Sequence, residues 1–144
     1  MRRFASAVCV AALIPLLRAE LPTGTWVRRP NKDDLGATMI VEAAGRGRKL
    51  TFKVALPGGG TSTMIVTTQG DGKDEPVSID GKPSPETMAI RFVDDRHMIN
   101  IIKLSGTTMV TQKSEVSADG RLIKVVSSAD APGQQNGVEY WDKK

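Results

Sequence analysis

Residues 48–72 read RKLTFKVALPGGGTSTMIVTTQGDG. Leu50, Phe52 and Val54 share one face of an alternating run and Lys53 takes the other, which is the two-residue period of a half-buried β-strand. A glycine-rich turn follows, and then a second run rich in Thr, Val and Ile, the residue types that favour strands. The stretch therefore predicts two antiparallel strands joined by a short connection.

The same pattern of strand and turn recurs along the chain. Turn signals stand roughly 10 to 14 residues apart, close to the spacing typical of an all-β barrel or sandwich. Most contain glycine, which tolerates the positive φ that tight turns need. The strand-like segments between the turns are, in order, 25–29, 38–44, 48–56, 61–69, 75–79, 87–93, 96–104, 107–117, 121–129 and 137–142.

Connections this short favour antiparallel neighbours. We therefore predict an all-β fold, an antiparallel meander of roughly eight to ten strands that closes into a barrel. Closure pairs the first strand with the last and leaves no open edge, so Trp26 and Trp141 are expected near the seam. An open bent sheet or a β-sandwich is the alternative.

Residues 1–19 are typical of a cleavable secretory leader. A positively charged start is followed by an uncharged, mostly apolar run of 14 residues, which is too short to span a bilayer. We expect a signal-peptide helix here, cleavage between Ala19 and Glu20, and export to the periplasm or the exterior. Residues 20–144 are then a single β-barrel domain without a transmembrane segment.

Removal of this leader changes the composition of the chain. The whole sequence has 20 Lys and Arg against 16 Asp and Glu, and residues 1–19 contain three of the arginines and no acid, which leaves 17 basic against 16 acidic residues. A nearly neutral domain poor in aromatic residues does not favour nucleic acid as a partner. The lone cysteine, Cys9, also leaves, so disulfides and thiol chemistry are excluded after cleavage.

The start of the predicted domain carries a family motif. Gly24-Thr25-Trp26 resembles the G-x-W that opens the first strand of lipocalins and other calycin barrels. The resemblance implies an up-and-down barrel whose closed end is plugged by the Trp, and a function in binding a small apolar or amphipathic ligand. The late arginine that stacks on this Trp in lipocalins has no clear counterpart in the sequence.

The rest of the chain resembles small exported bacterial β proteins of unknown function. The resemblance implies the fold and export, and it implies no activity. The G-x-W start and two hairpin motifs carry it, and the hairpin motifs are Asp71-Gly72-Lys73 with Pro76-Val77 and Val116-Ser117 with Asp119-Gly120-Arg121.

A barrel of this size either holds a ligand or is filled by its own side chains. The five methionines after the leader leave both alternatives open, because they suit an adaptable cavity as well as a core poor in aromatic residues. If a cavity exists, the residues expected to line it are Trp26, Phe52, Val54, Met64, Met88, Ile90 and Phe92.

The sequence contains no recognisable catalytic or metal-binding pattern. His97, the only histidine, follows an acidic turn and is interpreted as a surface residue. One His and no Cys after the leader leave too few zinc ligands, so we expect no metal, no cofactor and no enzymatic activity. Basic residues within 28–32 and 46–49 indicate either a solvated edge or a site for an anionic ligand headgroup or an envelope polyanion. The alternative to ligand binding is an interaction module of the cell envelope that binds a protein or polymer partner.

Overall fold

The computed structural model describes residues 21–32 and 34–144. The predicted leader, with its helix and its cleavage site at Ala19 and Glu20, lies outside the described residues. The described residues form ten β-strands and no helix. The strands are β1 (Gly24–Arg28), β2 (Ala37–Ala44), β3 (Gly47–Ala55), β4 (Thr61–Thr68), β5 (Asp71–Ile79), β6 (Lys82–Phe92), β7 (His97–Leu104), β8 (Thr107–Val116), β9 (Leu122–Ala129) and β10 (Gly137–Lys143).

The strands form a closed antiparallel barrel, and the prediction of a closing meander is confirmed. Each strand pairs with its neighbours in sequence, and β1 also pairs with β10. Across this seam Trp26 pairs with Lys143, and Arg28 pairs with Trp141. The barrel is compatible with a lipocalin-like fold. Over residues 21–32 and 34–144, no helix has the length and apolar character needed to cross a membrane.

Two strands begin earlier than the sequence predicts. β5 begins at Asp71 rather than at 75, and β6 begins at Lys82 rather than at 87. The turn residues Asp71 and Gly72 obscure the start of β5, and Pro83 and Pro85 obscure the start of β6, because proline cannot donate a hydrogen bond to the sheet ladder. The β5–β6 pair accommodates the irregular sequence through register shifts, one of them between Pro76 and Ser78.

Pairing between β4 and β5 is short. Only two residue pairs join these strands, at residues 64–65 of β4, whereas β3 and β4 share eight. The connection that follows β4 is joined to β6 instead, because the Phe92 N–H donates to the Gly70 carbonyl at 3.0 Å. The Phe92 ring also packs so closely on Gly70 that a Cβ there would lie 2.1 Å from it.

One end of the barrel, here named the closed end, is filled by side chains where the chain enters at Leu21. Trp26 is fully buried and Leu21 is 3% exposed. Arg48 joins the entering segment to the wall, since its Nε donates to the Leu21 carbonyl at 2.8 Å and its Nη1 to the Gly47 carbonyl at 2.9 Å. Further side chains that are buried in the core are those of Val41, Leu50, Val66, Val77, Val116 and Ile123.

The opposite end, here named the loop end, carries the longer connections 29–36, 56–60 and 130–136. Inward-facing residues toward this end are only half-buried, including Val54 and Ile102. The interior is therefore more accessible from the loop end than from the closed end.

Candidate ligand-binding site

A cavity of about 80 Å³ lies inside the barrel. It is far smaller than the roughly 300–1,000 Å³ of most small-molecule pockets, so side chains fill most of the interior. Its lining is mixed. Met39, Leu50, Phe52 and Ile90 form the apolar wall on β2, β3 and β6, and Asn100, Gln112, Ser114 and Glu139 form the polar wall on β7, β8 and β10. Four apolar side chains are interleaved with the polar wall, those of Met98, Ile123, Val125 and Trp141. The two walls adjoin where Ile90 and Asn100 are register partners on neighbouring strands.

The polar wall arises from strands that alternate in the ordinary way. Asn100 lies two residues from Met98 on β7, and Glu139 lies two residues from Trp141 on β10, so each polar side chain shares the inward face of an apolar one. Sequence reasoning missed these residues because it placed only apolar side chains inside. Their two-residue spacing from apolar neighbours was the signal that could have found them.

Hydrogen bonds connect part of the polar wall. Asn100 Nδ2 donates to Gln112 Oε1 at 3.1 Å, and Gln112 Nε2 donates to Ser127 Oγ at 3.3 Å. Asn100 is 8% exposed, and its Oδ1 has no hydrogen-bond partner among the described residues. A buried acceptor left unpaired costs about 1–3 kcal/mol. Asn100 therefore brings an unsatisfied acceptor to the lining of the cavity.

Glu139 places a carboxylate on the polar wall. Trp141 Nε1 donates to Glu139 Oε2 at 3.2 Å. Glu139 Oε1 lies 3.8 Å from Arg28 Nη1, which is beyond hydrogen-bonding distance. Arg28 is held more closely elsewhere, because its Nη2 lies 2.6 Å from Asp34 Oδ1 and its guanidinium carbon lies 5.6 Å from the centre of a Trp141 ring.

Asp34 holds Arg28 from the connection between β1 and β2. Burial by itself raises the pKa of Asp34, but the Gly36 backbone N–H, 2.9 Å from Oδ1, and the Arg28 guanidinium outweigh it, and the pKa is lowered. Asp34 is therefore ionised at neutral pH and keeps Arg28 engaged.

The basic residues at 28–32 and 46–49 do not share one surface, since they lie at opposite ends of the barrel. A solvated edge is the wrong description for two of them. Arg28 pairs with Asp34, and Arg48 is 9% exposed and donates to backbone carbonyls. Both guanidinium groups bind groups of this chain and are not presented to an anionic headgroup.

Two of the seven residues predicted to line a cavity, Phe52 and Ile90, do so. The other five lie elsewhere in the interior, either buried in the core or packed against it: Trp26, Met88, Val54, Met64 and Phe92. Ligand binding by any of the seven stays a prediction.

His97 lies on the outside of the barrel, after the connection between β6 and β7. Its side chain is 49% exposed, and its Nδ1 lies 2.8 Å from Asp94 Oδ1. The backbone N–H of Arg96 and the His97 ring lower the pKa of Asp94. In the part of the chain that the structure describes, no group of three or more His, Cys, Asp or Glu could hold a metal ion. The expectations of no enzymatic activity and no cofactor stay predictions.

Comparisons with protein-family models, curated proteins and solved structures found no match. The assignment of function therefore depends on the geometry of the barrel interior.

Proposed function

We propose that this protein is an exported, non-enzymatic binding protein of lipocalin-like type that holds a small amphipathic molecule inside its barrel. The observation that carries the proposal is the cavity, whose lining combines apolar and polar side chains and in which Asn100 Oδ1 is buried without a partner among the described residues. The leader predicted over residues 1–19 supports export to the periplasm or the exterior.

The volume of the cavity limits the size of the ligand. An apolar cavity of about 150 Å³ holds benzene, so a cavity of about 80 Å³ suits a compact molecule or the headgroup of a longer one. Met39 and Met98 both line it, and their flexible side chains can re-pack around a slightly larger ligand. A long-chain fatty acid inside the barrel would require much larger rearrangement.

Titration of the purified protein with a panel of compact alcohols, amines and acids, alongside long-chain fatty acids, tests the proposal. Binding is followed by NMR chemical shifts. We expect compact amphipathic compounds to shift the side-chain amide signals of Asn100 and Gln112. A panel without any binder would contradict ligand binding.

Two matched variants locate the binding site. Ser114→Val adds bulk to the polar wall, where Ser114 is 7% exposed, and should weaken binding at least tenfold. Ser128→Val makes the same change at an exposed position on β9 and should leave binding unchanged. Equal affinity of both variants would place the ligand outside the cavity and overturn the proposal.

A second candidate function is that of an interaction module of the cell envelope. Apolar side chains at the loop end favour it, because Leu35 is 59% exposed and Leu56 is 42% exposed. Their two connections are adjacent, since the Ala55 N–H donates to the Gly36 carbonyl at 3.3 Å. The double variant Leu35→Ser, Leu56→Ser separates the candidates. If the double variant loses its association with the cell envelope but still binds ligand in the cavity, the interaction module is favoured. If it keeps that association and loses ligand binding, the ligand-binding protein is favoured.

A further inference from the structure

We infer that the ligand of this cavity is a compact primary amine with an apolar body, and that Glu139 is its counter-ion. This inference rests on the proposed function and names the chemical class of its ligand. Three features of the cavity carry it: the charge balance around Glu139, the unpaired acceptor of Asn100, and the apolar wall.

The charge balance at the polar wall leaves one carboxylate in excess. Arg28 is the cation near Glu139, but Asp34 binds its Nη2 at 2.6 Å while Glu139 Oε1 stays 3.8 Å from its Nη1. Two carboxylates therefore share one guanidinium, and the closer of them is Asp34. Glu139 is a half-buried carboxylate that shares its cation with Asp34 and accepts one hydrogen bond from Trp141, so an incoming cation stabilises it further. The wall thus favours a positively charged ligand over a neutral or negative one.

The hydrogen-bonding groups that face the cavity also favour a donor. An ammonium group carries three N–H donors and no acceptor. Glu139 Oε1 receives no side-chain hydrogen bond from the described residues, and Asn100 Oδ1 is buried without a partner. Both residues line the same small cavity, so their acceptors belong to the surroundings of one bound molecule.

The apolar wall determines the rest of the ligand. Met39, Leu50, Phe52 and Ile90 offer no hydrogen bonds from their side chains, so the group that packs on them is a small hydrocarbon. The volume of about 80 Å³ is about half that of a cavity that holds benzene, so a branched chain of about four carbons enters when Met39 and Met98 re-pack around it. Isobutylamine meets both requirements and serves as the probe.

A series of probes with one hydrocarbon body tests the inference on the full protein. Isobutylamine, isobutanol and isobutyrate are titrated at pH 7 and followed by the Asn100 side-chain signals. We expect the amine to bind at least tenfold more tightly than the alcohol, and the acid to show no saturable binding. An alcohol or acid that binds as tightly as the amine overturns the inference, and the proposed function then stands with a different ligand class.

Glu139→Gln removes the charge and keeps the shape. We expect it to bring the amine and the alcohol to within about threefold of each other, whereas Glu115→Gln, at a side chain that is 51% exposed, keeps the preference for the amine. A Glu139→Gln protein that folds and keeps the full preference also overturns the inference.

The comparison of the three probes on the wild-type protein decides the question if the Glu139→Gln variant does not fold. Absence of binding by all three probes rejects the amine, and absence of binding across the wider panel rejects the proposed function as well.

Discussion

Lys143 Nζ lies 5.7 Å from the centre of a Trp26 ring. The two residues are also register partners across the β1–β10 seam. A cation from the last strand therefore covers the Trp that fills the closed end. The late arginine that the lipocalin resemblance implied has no clear counterpart in the sequence, and the cation that lies over Trp26 is Lys143 at the end of β10.

Replacement of Lys143 tests this contact. Lys143→Met should lower the free energy of unfolding by about 0.5–1 kcal/mol, the usual size of a cation–π contact at an exposed site. Urea unfolding monitored by Trp fluorescence measures it. Lys144→Met makes the same charge change one residue further on and should cost less. Equal losses for the two variants would show that net charge, rather than the ring contact, matters.

Trp26 should be the most sensitive position of the closed end. It is fully buried, so Trp26→Ala should lower the free energy of unfolding by about 3–5 kcal/mol through lost burial and the cavity left behind. Trp26→Phe should cost less, because Trp26 Nε1 has no hydrogen-bond partner among the described residues to lose. Chemical denaturation compares the two variants, and a phenylalanine as costly as the alanine would contradict this order.

Arg48 should anchor the entering segment. Arg48→Met removes the hydrogen bonds to the Leu21 and Gly47 carbonyls, and bonds from a charged group are worth about 1.5–3 kcal/mol each. We expect a lower free energy of unfolding for the protein and faster amide hydrogen exchange in residues 21–23, which precede β1. Arg46→Met, at an exposed position in the β2–β3 turn, is the control and should behave as wild type.

Gly47 should tolerate no side chain. A Cβ at Gly47 would lie 2.0 Å from the Thr68 carbonyl oxygen, so Gly47→Ala must push β3 and β4 apart and should cost about 1–3 kcal/mol or more. Gly137→Ala is the matched control, because nothing lies within 4 Å of a Cβ there. The control should be neutral or slightly stabilising. Thermal unfolding of both variants measures the difference, and a neutral Gly47→Ala would contradict the close approach.

Asp34 should make stability depend on acid pH. Its pKa is lowered below the ordinary value of 3.8 in the folded protein, so its contribution is present above that value and is lost as the pH falls through the folded pKa. The stability difference between wild type and Asp34→Asn should therefore be largest near neutral pH and shrink below about pH 4. Denaturation at a series of pH values and constant ionic strength measures it. A difference that grows toward low pH would contradict the lowered pKa.

Alternation and turn residues in the sequence predicted most of the strands. Phe52 and Ile90 were assigned to the interior correctly because each lies in a clean run of alternating apolar residues. The early parts of β5 and β6 were missed, since Gly72 in the first and Pro83 and Pro85 in the second indicate turns, and only pairing with a neighbouring strand stabilises these segments as strands. Asn100 and Glu139 were missed because polar side chains are normally expected to face solvent. They face inward because Met98 on β7 and Trp141 on β10, two residues away on the same strand, are packed inside the barrel.

The sequence by itself determined that the chain forms antiparallel strands, since the two-residue period and the turn residues act over a few positions and need no partner. Only the tertiary structure decided how β1 meets β10, how little space the core leaves, and which charges share the polar wall. These properties depend on contacts between residues far apart in the chain, such as Arg28 with Glu139. Their geometry follows from barrel closure and side-chain packing, which no local pattern encodes.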